Sequence, residues 1–322
     1  MAEEILRIEN LHVRYETFEM TNYALNGIDL TLKKGKTLGL VGETGAGKTT
    51  TAYSIMRILA KDIGKITEGK IYFEDFDITA ASEVEMRKIR GKEISLIFQD
   101  PMTALNPVMP VGDQIGEVLK VHGESDKKAI QHKVEDMLEL VGIPKERGKD
   151  YPHQFSGGMK QRIVIAIALA CNPKLLIADE PTTALDVTIQ AQVLKLMNDL
   201  REKRNTSMLF ITHDLGLIAR MCDEVAIIYA GEIVERGTTE QIFKAHLHPY
   251  TKGLFASIPS LTTKVKRLTP IEGLMPDPAS LPSGCKFHPR CQYATERCRK
   301  EIPKEAERGG HLVRCHNVEE ER

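Results

Sequence analysis

Short, wholly apolar runs alternate along this chain with longer stretches of helical character. "TLGLV" at 37–41, "LLIA" at 175–178, "LFIT" at 209–212 and "VAIIY" at 225–229 read as strands buried on both faces. Between and after them, "TTTAYSIMRILA", "VGDQIGEVLKVHG" and "HKVEDMLELVG" read as helices. This alternation predicts an α/β fold with a mostly parallel core sheet. Residues 4–32 and 69–73 read as antiparallel strands, and "VAIIYAGEIVERG" (225–237) as two strands joined by a tight Ala-Gly turn. Helical runs fill 107–150. Beyond residue 245, "HLHPYTKGLFASIPSL" and "GLMPDPASLPSG" are rich in proline and small residues and predict a linker and an extension. The longest apolar run, "IVIAIALAC" (163–171), is well short of the ~20 residues that span a bilayer.

Charge removes one class of function. The 322 residues carry 44 Lys and Arg against 45 Asp and Glu, a formal net charge of -1, without the basic excess of a nucleic-acid binder. The start, "MAEEILRIEN", lacks the basic region and apolar core of a signal peptide, so a cytosolic, soluble chain is expected. Four of the six cysteines, Cys285, Cys291, Cys298 and Cys315, gather near the C-terminus. In a reducing compartment such a cluster points to metal ligation rather than disulfides. Its spacing, C-x5-C-x6-C-x16-C, lacks the C-x2-C knuckles of common zinc sites. Four thiolates suit Zn²⁺ or an iron–sulfur cluster, with His288, His311 and His316 near enough to substitute. The expected role is a structural staple for a loop-rich tail, with redox sensing as the sharper alternative. Cys171 and Cys222 read as ordinary buried cysteines, Cys171 on an apolar helical face.

The densest chemistry lies in "TLGLVGETGAGKTT", where a strand, a glycine-rich turn and a helical run carry G-x-x-x-x-G-K-T from Gly42 to Thr49. Gly42, Gly45 and Gly47 let the backbone wrap an anion. The amides from Glu43 through Thr44, Gly45, Ala46, Gly47, Lys48 and Thr49 to Thr50 are expected to face phosphates. Lys48 supplies charge between the outer phosphates, and the Thr49 hydroxyl suits Mg²⁺. Downstream, "LLIADE" delivers Asp179 and Glu180 to a strand's C-terminal end, where ligands of parallel sheets gather. Asp179 suits a Mg²⁺ contact and Glu180 a general base for an attacking water. A second anion cradle, Ser156-Gly157-Gly158, opens a helical run in "HQFSGGMKQRIVIAIAL". One chain needs one cradle per ATP, so the second is expected to serve another chain's nucleotide.

These motifs together resemble the ATP-binding cassette (ABC) ATPases, in which two cassettes pair head to tail. The resemblance spans roughly residues 4–250, with Met159 where glutamine is usual in the signature. It implies a P-loop ABC ATPase fold with an antiparallel β subdomain, a helical subdomain at about 100–165, and a domain boundary near 250, leaving 251–322 as an extension. It also implies roles: Gln99 in the Q-loop as a Mg²⁺ ligand, "ALD" at 184–186 as the D-loop, and His213 as the switch histidine on the γ-phosphate. Tyr15 is the expected adenine-stacking aromatic, with Tyr23 its rival. "HPYTKGLFASIP" and the cysteine cluster resemble the C-terminal region of dipeptide and oligopeptide importer ATPases, which implies a [4Fe–4S] cluster, with Zn²⁺ the alternative. The expected function is ATP hydrolysis driving peptide import; nickel or sugar import is the nearer rival, and a non-transport ABC ATPase the remoter one. The expected partners are a second ABC subunit, two transmembrane permease subunits and, indirectly, an extracytoplasmic peptide-binding protein. The expected place is peripheral, at the cytoplasmic face of the membrane.

Overall fold

The computed structural model describes residues 3–182, 185–257 and 270–319. The chain forms two compact units, one of Met1–Ile5, Leu32–Thr37 and Ala80–Ile211, the other of Leu6–Thr31, Leu38–Thr79 and Thr212–Arg322. Among the described residues the strands run β1 (Glu4–Glu16), β2 (Thr21–Lys33), β3 (Thr37–Val41), β4 (Gly64–Phe73), β5 (Phe76–Asp77), β6 (Ile94–Ile97), β7 (Leu175–Asp179), β8 (Ser207–Thr212), β9 (Glu224–Tyr229), β10 (Glu232–Thr238), β11 (Glu305–Arg308) and β12 (His311–Arg314).

The first unit is built on β6, β7 and β8, which are parallel, with Ile94 opposite Leu175 and Leu175 opposite Ser207. Every residue of β7 and β8 is buried. This is why these strands read as unbroken apolar runs rather than alternating ones. The helix Gly157–Leu169 is apolar nearly all round and buries Ile163, Ile165 and Ala166 completely. The helices Val111–Val121 and Lys127–Leu140 are amphipathic; Ile130, Val134, Met137 and Leu138 form one buried stripe. They are the helical runs expected within 107–150.

In the second unit β2, β1, β4 and β5 lie side by side, and β1 pairs antiparallel with β4 from Leu6↔Phe73 to Tyr15↔Gly64. A second set starts with β3 parallel to β9. β9 and β10 are antiparallel across Ala230 and Gly231, both at positive φ (46° and 76°), the backbone a two-residue hairpin turn requires. β12 then pairs with β10, setting Glu235 against Val313, and β11 pairs with β12. The strands are therefore mixed in direction rather than mostly parallel. Hairpin-joined neighbours run antiparallel by necessity, and the C-terminal hairpin joins this set edge-on.

Further sequence expectations differ from the structure. Part of the expected linker is a helix, Pro249–Ala256, because proline suits the first helical position and His248 Nδ1 accepts the Tyr250 N–H as its cap. Cys171 is not on a helix face but lies beyond the end of Gly157–Leu169, and Cys171 and Cys222 are both only half-buried. The expected linker continues into 258–269, outside the described residues. Among the described residues no helix is long and apolar enough to cross a membrane.

Candidate nucleotide-binding and hydrolysis site

In the second unit β3 runs into the glycine-rich loop, and the helix Lys48–Met56 follows. Gly42 is demanded by packing, since a Cβ there would lie 2.3 Å from the Ile228 carbonyl oxygen. Gly47 adopts φ 109°, a conformation that L side chains rarely take. Thr44 and Gly45 form the exposed crown of the loop, Ala46 and Gly47 are buried beneath it, and Thr49 and Thr50 are half-buried. Lys48 is buried and folded over its own loop, Nζ donating to the carbonyls of Gly42 (2.8 Å) and Glu43 (3.1 Å). The Glu43 carbonyl also accepts the Ala46 N–H. The loop is thus curled around an ammonium group in the shape of an anion cradle.

Elsewhere in this unit, His213 is exposed between β8 and the helix Leu215–Met221. Beside it, Asp214 Oδ1 accepts the Gly216 and Leu217 N–H groups as a helix cap. Tyr15 is half-buried near the end of β1, while Tyr23 on β2 is exposed and donates its N–H to the Pro278 carbonyl.

In the first unit β7 ends at buried Asp179. Glu180, the next residue, has φ 45°, a left-handed backbone of the kind stored at functional sites. Its N–H donates to Ile211, and its Oε2 accepts from Gln99 Nε2 at 3.1 Å. Gln99, two residues past β6, is exposed. Two residues 81 apart in sequence are thereby joined, and one oxygen of Glu180 is oriented. Ser156 caps Gly157–Leu169, Oγ accepting the Met159 N–H. A Cβ at Gly157 would meet nothing within 4 Å, whereas one at Gly158 would lie 2.4 Å from Ile189 Cγ2. Gly157 leaves the helix start open and Gly158 lets two helices approach. Of the expected D-loop, Ala184 lies outside the described residues, and Asp186 Oδ1 accepts the Ile189 N–H at the start of Val187–Arg204.

The tail thiols are unpaired as disulfides; Cys298 and Cys315 are buried, and Cys285 and Cys291 half-buried. Burial pushes Cys285 up to about 12 and raises Cys291 and Cys315 as well, with the charges of Cys298 and Cys315 opposing ionisation of both Cys285 and Cys291. Four thiols within one extension suit a four-thiolate group by their chemistry. Yet among the described residues no three His, Cys, Asp or Glu side chains are gathered to hold a metal ion, so the metal-binding arrangement expected from spacing is not formed. Packing accounts for part of this: Cys315 lies in an apolar cluster with Ala306, Val313 and Val318, and Cys298 Sγ contacts Thr295 Oγ1. The histidines are engaged as well. His311 Nε2 bonds Glu235 at 2.7 Å, His316 Nε2 the Glu301 carbonyl, and His288 Nδ1 the Cys285 carbonyl.

Sequence reasoning passed over Tyr250 and Arg290, which touch the phosphate loop. Tyr250 Oη accepts the Glu43 N–H (3.0 Å), and Arg290 pairs with both Glu43 carboxylate oxygens (2.6 and 3.1 Å). Neither belongs to a spacing pattern; the first sign of Tyr250 was its place in "HPYTKG".

Comparison with known proteins finds two family models in this chain. The family model described as "ABC transporter" matches residues 25–183, and that described as "Oligopeptide/dipeptide transporter, C-terminal region" matches 234–298. The chain is 51% identical to the dipeptide transport ATP-binding protein DppD of Bacillus subtilis (strain 168), over 97% of this chain and 94% of that protein. It is 49% identical to the oligopeptide transport ATP-binding protein OppD of Haemophilus influenzae, over 91% of each. Among solved structures it is similar to the dimeric post-hydrolysis state of the ATP-binding cassette MJ0796 bound to ADP and Pi. That match has a TM-score of 0.65 and 27% identity, covering 73% of this chain and 98% of that one. The cbiO1 cassette of Clostridium perfringens is similar at a TM-score of 0.64 and 27% identity, over 76% of this chain and 92% of that one.

Proposed function

The chain belongs to the ABC transporter family, in its oligopeptide/dipeptide branch, and from that premise we propose that it is the ATP-hydrolysing subunit of a peptide importer. The observation that carries this reading is the presence in one chain of a cassette and of the C-terminal region described for peptide transporters. ATP phosphates seat on the loop from Gly42 to Thr50, where Lys48 exchanges its loop carbonyls for the outer phosphate oxygens. The oxygen donors of Thr49, Gln99 and Asp179 suit Mg²⁺, which when bound neutralises charge on the transferring phosphoryl group. Glu180, oriented by Gln99, takes a proton from the attacking water. The water oxygen bonds to the γ-phosphorus while the bond to the ADP oxygen breaks. His213 holds the γ-phosphate, and Tyr15 or Tyr23 stacks on adenine. Replacing Glu180 by Gln is expected to slow hydrolysis by about 10²-fold or more while ATP binding persists. Hydrolysis near the wild-type rate would remove Glu180 from this role.

Two cassettes, identical or homologous, pair head to tail, and Ser156, Gly157 and Gly158 of one meet the nucleotide of the other. The dimeric form of a similar cassette supports this. The pair works peripherally at the cytoplasmic face of the membrane on two permease subunits, fed by an extracytoplasmic peptide-binding protein and with no nucleic acid. The proposed division is a nucleotide-binding domain to residue 250, with its helical subdomain at about 100–165, and an extension over 251–322. In that extension Cys285, Cys291, Cys298 and Cys315 would hold a [4Fe–4S] cluster, or Zn²⁺ in its place, as a structural staple. Protein purified without oxygen is expected to carry about four iron and four acid-labile sulfide per chain, lost on replacing Cys291 and Cys298 by Ser. One zinc and no sulfide would rule out the cluster, and neither metal would rule out both.

A further inference from the structure

We propose that Arg290, seconded by Tyr250, positions the phosphate loop, so that the C-terminal extension sets the affinity for ATP; this rests on the ATPase reading above. Glu43 is the first variable residue of a loop that must accept a polyphosphate, and an uncompensated carboxylate there repels it. Arg290 meets both Glu43 oxygens in a bidentate pair with its own side chain only 5% exposed, the strong geometry for guanidinium and carboxylate. The pair cancels the charge and fixes the direction of the loop's first turn. Tyr250 Oη holds the same residue by its backbone N–H, so the main chain of Glu43 is tied to the residue at the domain boundary and its side chain to the extension.

The clamp is itself held. Arg290 Nε donates to the Glu272 carbonyl (3.0 Å), and Nη2 donates to that of Ile271 (3.4 Å). Nη1 reaches Tyr229 Oη and the Met275 sulfur, and the guanidinium lies 5.8 Å from the Tyr229 ring. Tyr229, Tyr250 and Phe287 pack ring against ring at 4.6 to 5.4 Å. Tyr229 follows Ile228, whose carbonyl is the one pressed against Gly42. The loop is therefore braced at its first two residues by one connected group of buried side chains. Arg290 acts on the loop through Glu43.

The test uses the full chain, with ATP binding, KM and kcat, and thermal unfolding measured on each variant. Arg290→Ala is expected to raise the Kd and KM for ATP about tenfold, with kcat at saturating ATP within about twofold of wild type. Arg290→Lys, which keeps the charge but not the fork, is expected to lie between. The double variant Glu43→Gln/Arg290→Ala should recover most of the lost affinity, because the uncompensated charge has gone too. A purely structural arginine would lower the unfolding temperature and leave the Kd unchanged, and the double variant would bind no better than the single one; either result overturns the proposal. Should Arg290→Ala not fold, a wild-type Kd in Arg290→Lys does the same. A wild-type protein that binds no ATP overturns both this inference and the ATPase reading.

Discussion

His248 is wholly buried, and that burial pushes its imidazole down to about 4, with Lys252 adding to the effect and Glu235 opposing it. Its ring is therefore neutral in the folded chain, as its acceptance of the Tyr250 N–H requires. An unfolded histidine titrates near 6.5, so between about 6.5 and 4 the unfolded state binds a proton that the folded state refuses. Stability accordingly falls as pH falls through that window. Glu235 adds little there. Burial pushes its carboxyl up, but bonds from His311 and from the Leu247 and His248 N–H groups outweigh this and hold it below its usual 4.5. Its stabilisation is lost only as pH falls below that value. His248→Asn keeps a capping oxygen and removes the titration, so its unfolding temperature should fall less steeply than wild type from pH 6.5 to 4. Parallel curves would show that His248 is not the group responsible. Neither the burial of His248 nor the Arg290–Glu43 pair was readable in sequence. Partners 247 residues apart leave no periodic trace, whereas Lys48 and Thr49 are fixed by spacing within a single loop.

Elements were more readable where one segment carries its own signal. β3, β7, β8 and β9 are buried strands and appear as apolar runs. The phosphate loop is fixed by glycines within eight residues. The helix Pro249–Ala256 was hidden because its proline, a breaker in most contexts, sits at the one position where it promotes a helix. The hairpin of β11 and β12 was hidden by being short and charged, and it holds its place through pairing with distant β10. The signature helix shows both sides of this. Ser156 and the glycines announce a helix start, but only the structure separates open Gly157 from Gly158, which faces Ile189. Gly158→Val should therefore destabilise the chain by about 1–3 kcal/mol through overpacking, and Gly157→Ala hardly at all, as read by thermal unfolding. Equal effects at the two positions would contradict this account of the interface.

At the scale of the whole molecule, the motifs distribute between two units. The phosphate loop and His213 belong to one, and Gln99, Asp179, Glu180 and the signature serine and glycines to the other. The chain's own tail is tied to the nucleotide loop through Glu43 and to the sheet through β10. An extension that could have been a separate appendage is thereby part of the same compact unit as the glycine-rich loop. For the cysteines, ligand chemistry was evident from composition, while a gathered set of three or more ligands is not seen among the described residues. Uptake of a labelled dipeptide or oligopeptide by cells lacking this chain tests ATP-driven peptide import. Uptake should be lost in those cells, restored by the wild-type chain and not restored by Glu180→Gln. Peptide uptake that survives without the chain, with loss of a sugar or nickel supply instead, would contradict it.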